Sequence, residues 1–473
     1  GCVAVIDFAG TGVWVHVQDA TLSNCTVTSE ATEQVPRSST SNADVEYDVT
    51  LVGGGLGVVN TADVWVSRVR IELCSVTMPY LPVFASSLLR TPRMYGGGLG
   101  VMFDQMVGAS YDAAVDDPRS RGVVIEDFTA IGNLVMTPSS RAIGGGGGVA
   151  VAALPVDIGL IIVASVAADG NSVSGSQLAG GGMLFADTAL RPASTFIGPS
   201  LALSNNKAPS GGGLALSAVT STSIELIELL GLELRGNIAV GVGGGLSVAS
   251  PSSADARVVI REAVAAGNTA GTSGGGTGIA GLALVIVSNS TFDGNHAMRG
   301  GGLAVADQAI LQLDNTQVVG NTAEYGGGLA AEGTTCLLQS GCAITGNVAG
   351  RYGGGALVSS GTLTYAAGDV AVSGNRAEIA GGGVFECLLS QACGKTLASP
   401  CNGVGSGDVS SMTYVESISP ADAAAQTTLN TPSNLASDPV ALVKTDGTTT
   451  GMVATISSGQ EISRTLKSGS ERT

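Results

Sequence analysis

Large aliphatic residues alternate with small or polar ones in short runs along most of the chain. Leu214-Ala-Leu216, Leu246-Ser-Val248 and Leu303-Ala-Val305 each place two big side chains on one face of a short strand. The pattern continues through a unit: after "LAVAD" come "ILQLD" and "QVVG", which predicts three short strands per unit. No long stretch follows a 3.6-residue period, and glycine interrupts every helical candidate. The one ambiguous run, "SIELIELLGLEL" (223 to 234), reads as strand. The longest apolar runs, "IGLIIVASVAA" (158 to 168) and "IAGLALVIV" (279 to 287), are shorter than the roughly 20 residues that span a bilayer as a helix. They read as buried strands, and no membrane span is expected.

Two marks punctuate this alternation. Glycine triplets begin at Gly53, Gly96, Gly144, Gly180, Gly211, Gly243, Gly274, Gly300, Gly326, Gly353 and Gly381, with a spacing that settles at 26 to 28 residues. Just before the later triplets stands Gly-Asn-x-Ala, at Asn237, Asn268, Asn295, Asn321, Asn347 and Asn375. A fixed period of this length marks a solenoid, in which no unit buries itself and each coil is stabilised by its neighbours. The expected fold is all-β, a parallel β-helix of about eleven to twelve coils with three short strands each. Stacking brings the same turn of every unit together, so the glycines supply positive φ and close backbone approach. The six asparagines are expected to bond their amides along the stack as a structural ladder. This divides the chain into an N-terminal cap and first coil (1–52), the β-helix (53–401) and a Ser/Thr/Gly-rich, β-prone tail or cap (402–473).

The phrase "STFDGNHAMRGGGLAV" (290 to 305) pairs Phe292-x-x-Asn295 with Gly-Gly-Gly-Leu a few residues later. It resembles the repeats of the polymorphic outer-membrane protein and autotransporter passenger families, and the β-helix regions of large surface proteins in microbial eukaryotes. The resemblance implies a right-handed helix sense and an extracellular or cell-surface location.

Composition narrows the function. Hydrophobic residues make up 44% of 473 but aromatics only 4%, which suits stacked layers of small branched side chains. The net charge of −17 argues against nucleic acid or an anionic membrane as partner, because both need clustered Lys and Arg. The chain opens on Gly1 without an initiator Met or signal peptide, as expected of a processed chain or a fragment. The early units carry insertions, "EQVPRSSTSNADVEYD" (33 to 48), "MPYLPVFASSLLRTPRMY" (78 to 95) and "QMVGASYDAAVDDPRSRG" (105 to 122), and loops on a rigid scaffold are where partners are met.

Candidate chemistry is sparse. Aligning "SNCTVT", "LCSVT" and "SGCAITGN" with "SNSTFDGN" puts Cys25, Cys74 and Cys342 in one column, with Cys25 and Cys74 within disulfide reach if their coils are adjacent. Cys336 with Cys342, and Cys387 with Cys393, are further candidate disulfides, and buried thiols are the alternative. No C-x-x-C exists and only His16 and His296 are present, so neither zinc nor any other cofactor is expected. Polygalacturonase-like motifs are missing apart from Asp116-Asp117; Asp104, Glu126 and Asp127 read as solvated acids, and no enzyme is expected. Asn24 ("NCT") and Asn289 ("NST") are candidate glycosylation sites. The leading expectation is an extracellular structural protein, a stalk or fibre protomer that self-associates end to end or through its tail. An adhesin taking a glycan or protein on its insertion loops is the alternative.

Overall fold

The computed structural model describes residues 3–6, 14–28, 50–59, 63–78, 93–104, 122–138, 142–154, 160–187, 194–218, 224–250, 257–282, 284–365, 370–379 and 381–387, with short pieces at 435–437, 442–443 and 451–452. These residues form strands, turns and bends, and no helix occurs among them. The chain divides into two compact units, Gly1–Val259 and Ile260–Thr473. Each is a stack of parallel strands coiled as a β-helix.

One coil of the second unit shows how the sequence builds the stack. After the triplet Gly300-Gly301-Gly302 runs Leu303–Val305, the first side, which pairs in parallel with Leu329–Glu332 of the next coil. Ile310–Asp314 and Gln317–Val319 form a second side, bent at Asn315, and Thr322–Tyr325 forms the third before the next triplet. The coil therefore has four strands, where the alternation predicts three. The cause is Asn315, whose φ of 44° breaks the ladder at mid-side without turning the chain off that face. In two coils of the first unit the same bend is absorbed inside one long strand, at Asp127 (φ 50°) in Gly122–Ile131 and at Ser165 (φ 52°) in Leu160–Asp169, and in others of that unit it splits the side, as at Arg68 (φ 51°).

The column inside the coils is aliphatic. Leu303, Val305, Leu311, Leu313, Val318 and Ala323 are all buried, as the period of two requires. Each large aliphatic so placed contributes about 1.5–3 kcal/mol. The ambiguous run resolves into strands Ile224–Leu230 and Glu233–Arg235, separated at Gly231, and the apolar run of 158 to 168 becomes strand Leu160–Asp169.

The first unit adds a side that alternation alone does not foretell. Thr50–Val52, Arg93–Tyr95, Ile143–Gly145 and Gln177–Ala179 form their own four-stranded parallel sheet just before the triplets. Arg93–Tyr95, the end of the second expected insertion, is thus a strand. Tyr95 joins Val59, Met102, Ala150, Ala152 and Leu184 in an apolar cluster on the outer face of the strands that follow the glycines, so those strands are buried on both faces. The rest of the expected insertions, 33–48, 79–92 and 105–121, lies outside the described residues.

In the second unit the tail reaches the end of the stack. Leu435–Ser437 pairs in parallel with Val384–Glu386, extending the row of post-glycine strands by one. Leu442–Val443 and Gly451–Met452 form a short antiparallel pair.

Candidate functional site

Two internal devices and one surface cluster account for the side chains that the aliphatic column does not. The first device is the glycine turn. Within a triplet only the first residue has positive φ, as at Gly300 (57°); in the run 144–148 the triplet in register with the others begins at Gly146 (72°) and not at the expected Gly144, and Gly144 (119°) and Gly145 (132°) ahead of it also have positive φ. The other two residues of a triplet are glycine for lack of room. A Cβ on Gly301 would stand 2.5 Å from the Gly327 carbonyl oxygen and 2.6 Å from that of Thr322. The turn is thus pressed between the next coil and the opposite corner, with backbone on both sides.

The second device lies at that opposite corner. In the second unit Asn268, Asn295, Asn321, Asn347 and Asn375 stack in consecutive coils, with Asn295 to Asn375 almost wholly buried. From Asn295 to Asn375 each carboxamide oxygen accepts two bonds from the coil before it: the Asn295 backbone N–H and its Nδ2 both donate to Asn321 Oδ1, at 2.9 and 3.0 Å. The remaining Nδ2 hydrogen goes to a backbone carbonyl of the coil before, as Asn321 to Phe292. Every polar atom of the buried amide is thereby used. In the first unit Asn237 is preceded by Asn133, Asn171 and Asn206 in the same arrangement. Sequence reasoning missed those three because "GNLV", "GNSV" and "NNKA" depart from Gly-Asn-x-Ala.

The thiols follow from this geometry, and the single expected cysteine column does not hold. Thr26 pairs with Ser75 and Ser75 with Leu134, so Cys25 and Cys74 stand in the asparagine column ahead of Asn133. Cys342 precedes Ala343, whose partners put it with Ser290 and Thr316 at the mid-side bend. The two corners share one signature, a left-handed residue followed by a small inward one, and aligning strings cannot separate them. Cys74 Sγ takes the place of an amide oxygen, accepting the Cys25 backbone N–H at 3.3 Å, while Cys74 N–H donates to Asn133 Oδ1 at 2.9 Å. Cys25, Cys74, Cys336 and Cys342 are free, buried thiols, so the disulfides expected among them are not formed. Burial pushes the Cys336 thiol up to about 12 and raises that of Cys342. The remaining expected disulfide, between Cys387 and Cys393, is not among the bonds of the described residues. Cys393 lies outside those residues, and Cys387 closes the strand Val384–Cys387.

Both sequon asparagines are exposed and left-handed, Asn24 at φ 55° and Asn289 at φ 49°. Asn289 Oδ1 accepts a bond from Asn315 Nδ2 at 2.8 Å. His296 is exposed and opens the strand His296–Arg299, its backbone N–H on the Asn268 carbonyl. Arg299, at the end of that strand, has a buried Nε without a partner. Burial lowers its pKa against the pull of Glu332, and burial likewise raises that of Glu332 against the pull of Arg299. For both groups desolvation is the larger effect and their mutual attraction the smaller.

The surface cluster lies on the second side of the first unit. Asp104 ends a strand of the first side, so it is not brought together with Glu126 and Asp127; Asp116 and Asp117 lie outside the described residues. Glu126 is not a free acid, because its Oε1 accepts the Trp65 indole N–H at 2.9 Å. Trp65 stacks on His16, ring centres 4.6 Å apart and planes 10° from parallel. Beside them Arg68 holds Asp19 through two bonds, at 2.6 and 3.0 Å. Among the described residues no group of three or more His, Cys, Asp or Glu is placed to hold a metal ion. No helix of these residues is long and apolar enough to cross a membrane. No protein-family model, curated protein or solved structure matches the chain.

Proposed function

We propose that this is an extracellular structural protein, a β-helical stalk or the protomer of a surface fibre, whose copies join through strand addition at the ends of the stacks. The supporting sequence feature is a repeat spent on architecture, with glycine turns, an amide ladder and an aliphatic column in every regular coil. The resemblance of the Phe292-to-Leu303 phrase to outer-membrane and autotransporter passenger repeats supports the surface location.

The observation that carries self-association is the pairing of Leu435–Ser437 with Val384–Glu386. This end of the stack accepts a parallel strand from a segment far along the chain, and the same capture from another copy would make a joint. Such a contact is heterologous and can propagate without closing. Substituting Ala436→Pro removes a ladder donor from the added strand. Sedimentation velocity of the full chain over a concentration series should show association that this variant weakens. A parent chain that stays monomeric throughout, or an unchanged distribution in Ala436→Pro, would refute the proposal.

A further inference from the structure

The surface around Trp65 does not belong to the architecture. In the first unit the outward positions of the second side run His16, Trp65, Val124 and Ile162 in register. Tryptophan is exposed here to 48% of its surface, on a strand whose inward neighbours Val64 and Val66 are fully buried. Its orientation is nevertheless fixed, by the stacked imidazole of His16 on one face and by the bond to Glu126 at the indole N–H.

With one face taken and the N–H used, the remaining exposure must come from the other face and the outer edge. On the side of Trp65 away from His16 its register partner is Val124, whose side chain is smaller than an indole. Val124 and Ile162, both half-buried, continue the outward row, so the surface steps down from an indole to two aliphatic side chains as a ledge. The rim is polar: Glu126, and the exposed Arg68–Asp19 pair, whose guanidinium also feels the charges of Asp127 and Glu126.

We infer that this ledge is a binding site for a neutral pyranose glycan. The apolar C–H face of a pyranose ring fits an aromatic face, and its neighbouring hydroxyls can donate to a carboxylate and accept from a guanidinium. A rigid, pre-oriented tryptophan loses little freedom on binding. The rim carries three carboxylates, Asp19, Glu126 and Asp127, against Arg68, which disfavours a phosphate backbone or an acidic sugar. A protein partner anchored on tryptophan would be expected to find it within an apolar ring of contacts, and here the apolar row of Val124 and Ile162 is bordered by the charges of Glu126, Arg68 and Asp19. The inference does not depend on self-association and does not use the insertion loops.

The test is titration of the full chain with cellohexaose, laminarihexaose, xylohexaose, mannohexaose and chitohexaose, followed by calorimetry. At least one should bind. Trp65→Ala should weaken that binding by about tenfold or more, Trp65→Phe should retain part of it through its smaller ring, and Glu126→Gln should fall between parent and Trp65→Ala. Circular dichroism and thermal unfolding of each variant should match the parent, since the side chain points away from the core. Absence of binding to every sugar at about 10 mM, or binding that Trp65→Ala leaves unchanged, would overturn the inference.

Discussion

At the scale of single residues, stability turns on buried polar atoms that are all used. Asn295→Ala would strand the Asn268 backbone N–H and its amide donor, and should cost about 2–4 kcal/mol in urea unfolding. Cys74→Asn makes the opposite change. It replaces a weak sulfur acceptor with an amide oxygen facing Cys25 N–H, extends the ladder by one step, and should raise stability by about 1 kcal/mol. The thiols supply a chemical check: iodoacetamide should leave Cys25, Cys74, Cys336 and Cys342 unlabelled in the native chain and modify all four after denaturation, read by peptide mass spectrometry. Glu332 gives a pH dependence of definite sign. Burial raises its folded pKa above the ordinary carboxylate value, so the folded state binds more protons across that window and stability falls as pH rises through it. Glu332→Gln should flatten the fall in melting temperature between mildly acidic and neutral pH; an unchanged slope would show that Glu332 is not its source.

At the scale of elements, the period of two and the glycine spacing made the stacked strands legible, because both report burial and backbone clearance directly. The fourth strand was not legible. Asn315, Asn289 and Asp127 look like ordinary polar positions, and only their left-handed conformation shows that they bend a side. The cysteine columns were misread for the related reason that two corners carry the same local signature. Asn133, Asn171 and Asn206 escape the Gly-Asn-x-Ala pattern because the first two lack its alanine and the third its glycine, whereas the ladder depends on the asparagine alone. The Trp65 cluster was invisible in sequence, since residues 16, 65 and 126 meet only through coil register. Glycines at the two corners, Gly294 before the ladder asparagine and Gly301 in the triplet, give the sharpest contrast between positions. Gly294 has positive φ but open space around it, so Gly294→Ala should cost about 1 kcal/mol. Gly301→Ala drives a methyl group into backbone on two sides and should cost more than about 3 kcal/mol or prevent folding of the second unit, as thermal unfolding would show.

At the scale of the molecule, the sequence was explicit about architecture and reticent about purpose. Low aromatic content and a regular repeat report on the fold, while a ligand site needs only a few residues and leaves no period behind. Joining copies through the stack ends would extend the scaffold by the rule that builds it, one parallel strand bonded to the next. The most direct measurement is electron cryomicroscopy of the concentrated full chain. The account predicts filaments whose reconstruction carries the spacing of about 4.8 Å between strands without interruption across the joint between copies. Single, unjoined chains at every concentration, or filaments held by side-to-side contacts with the stack ends free, would contradict it.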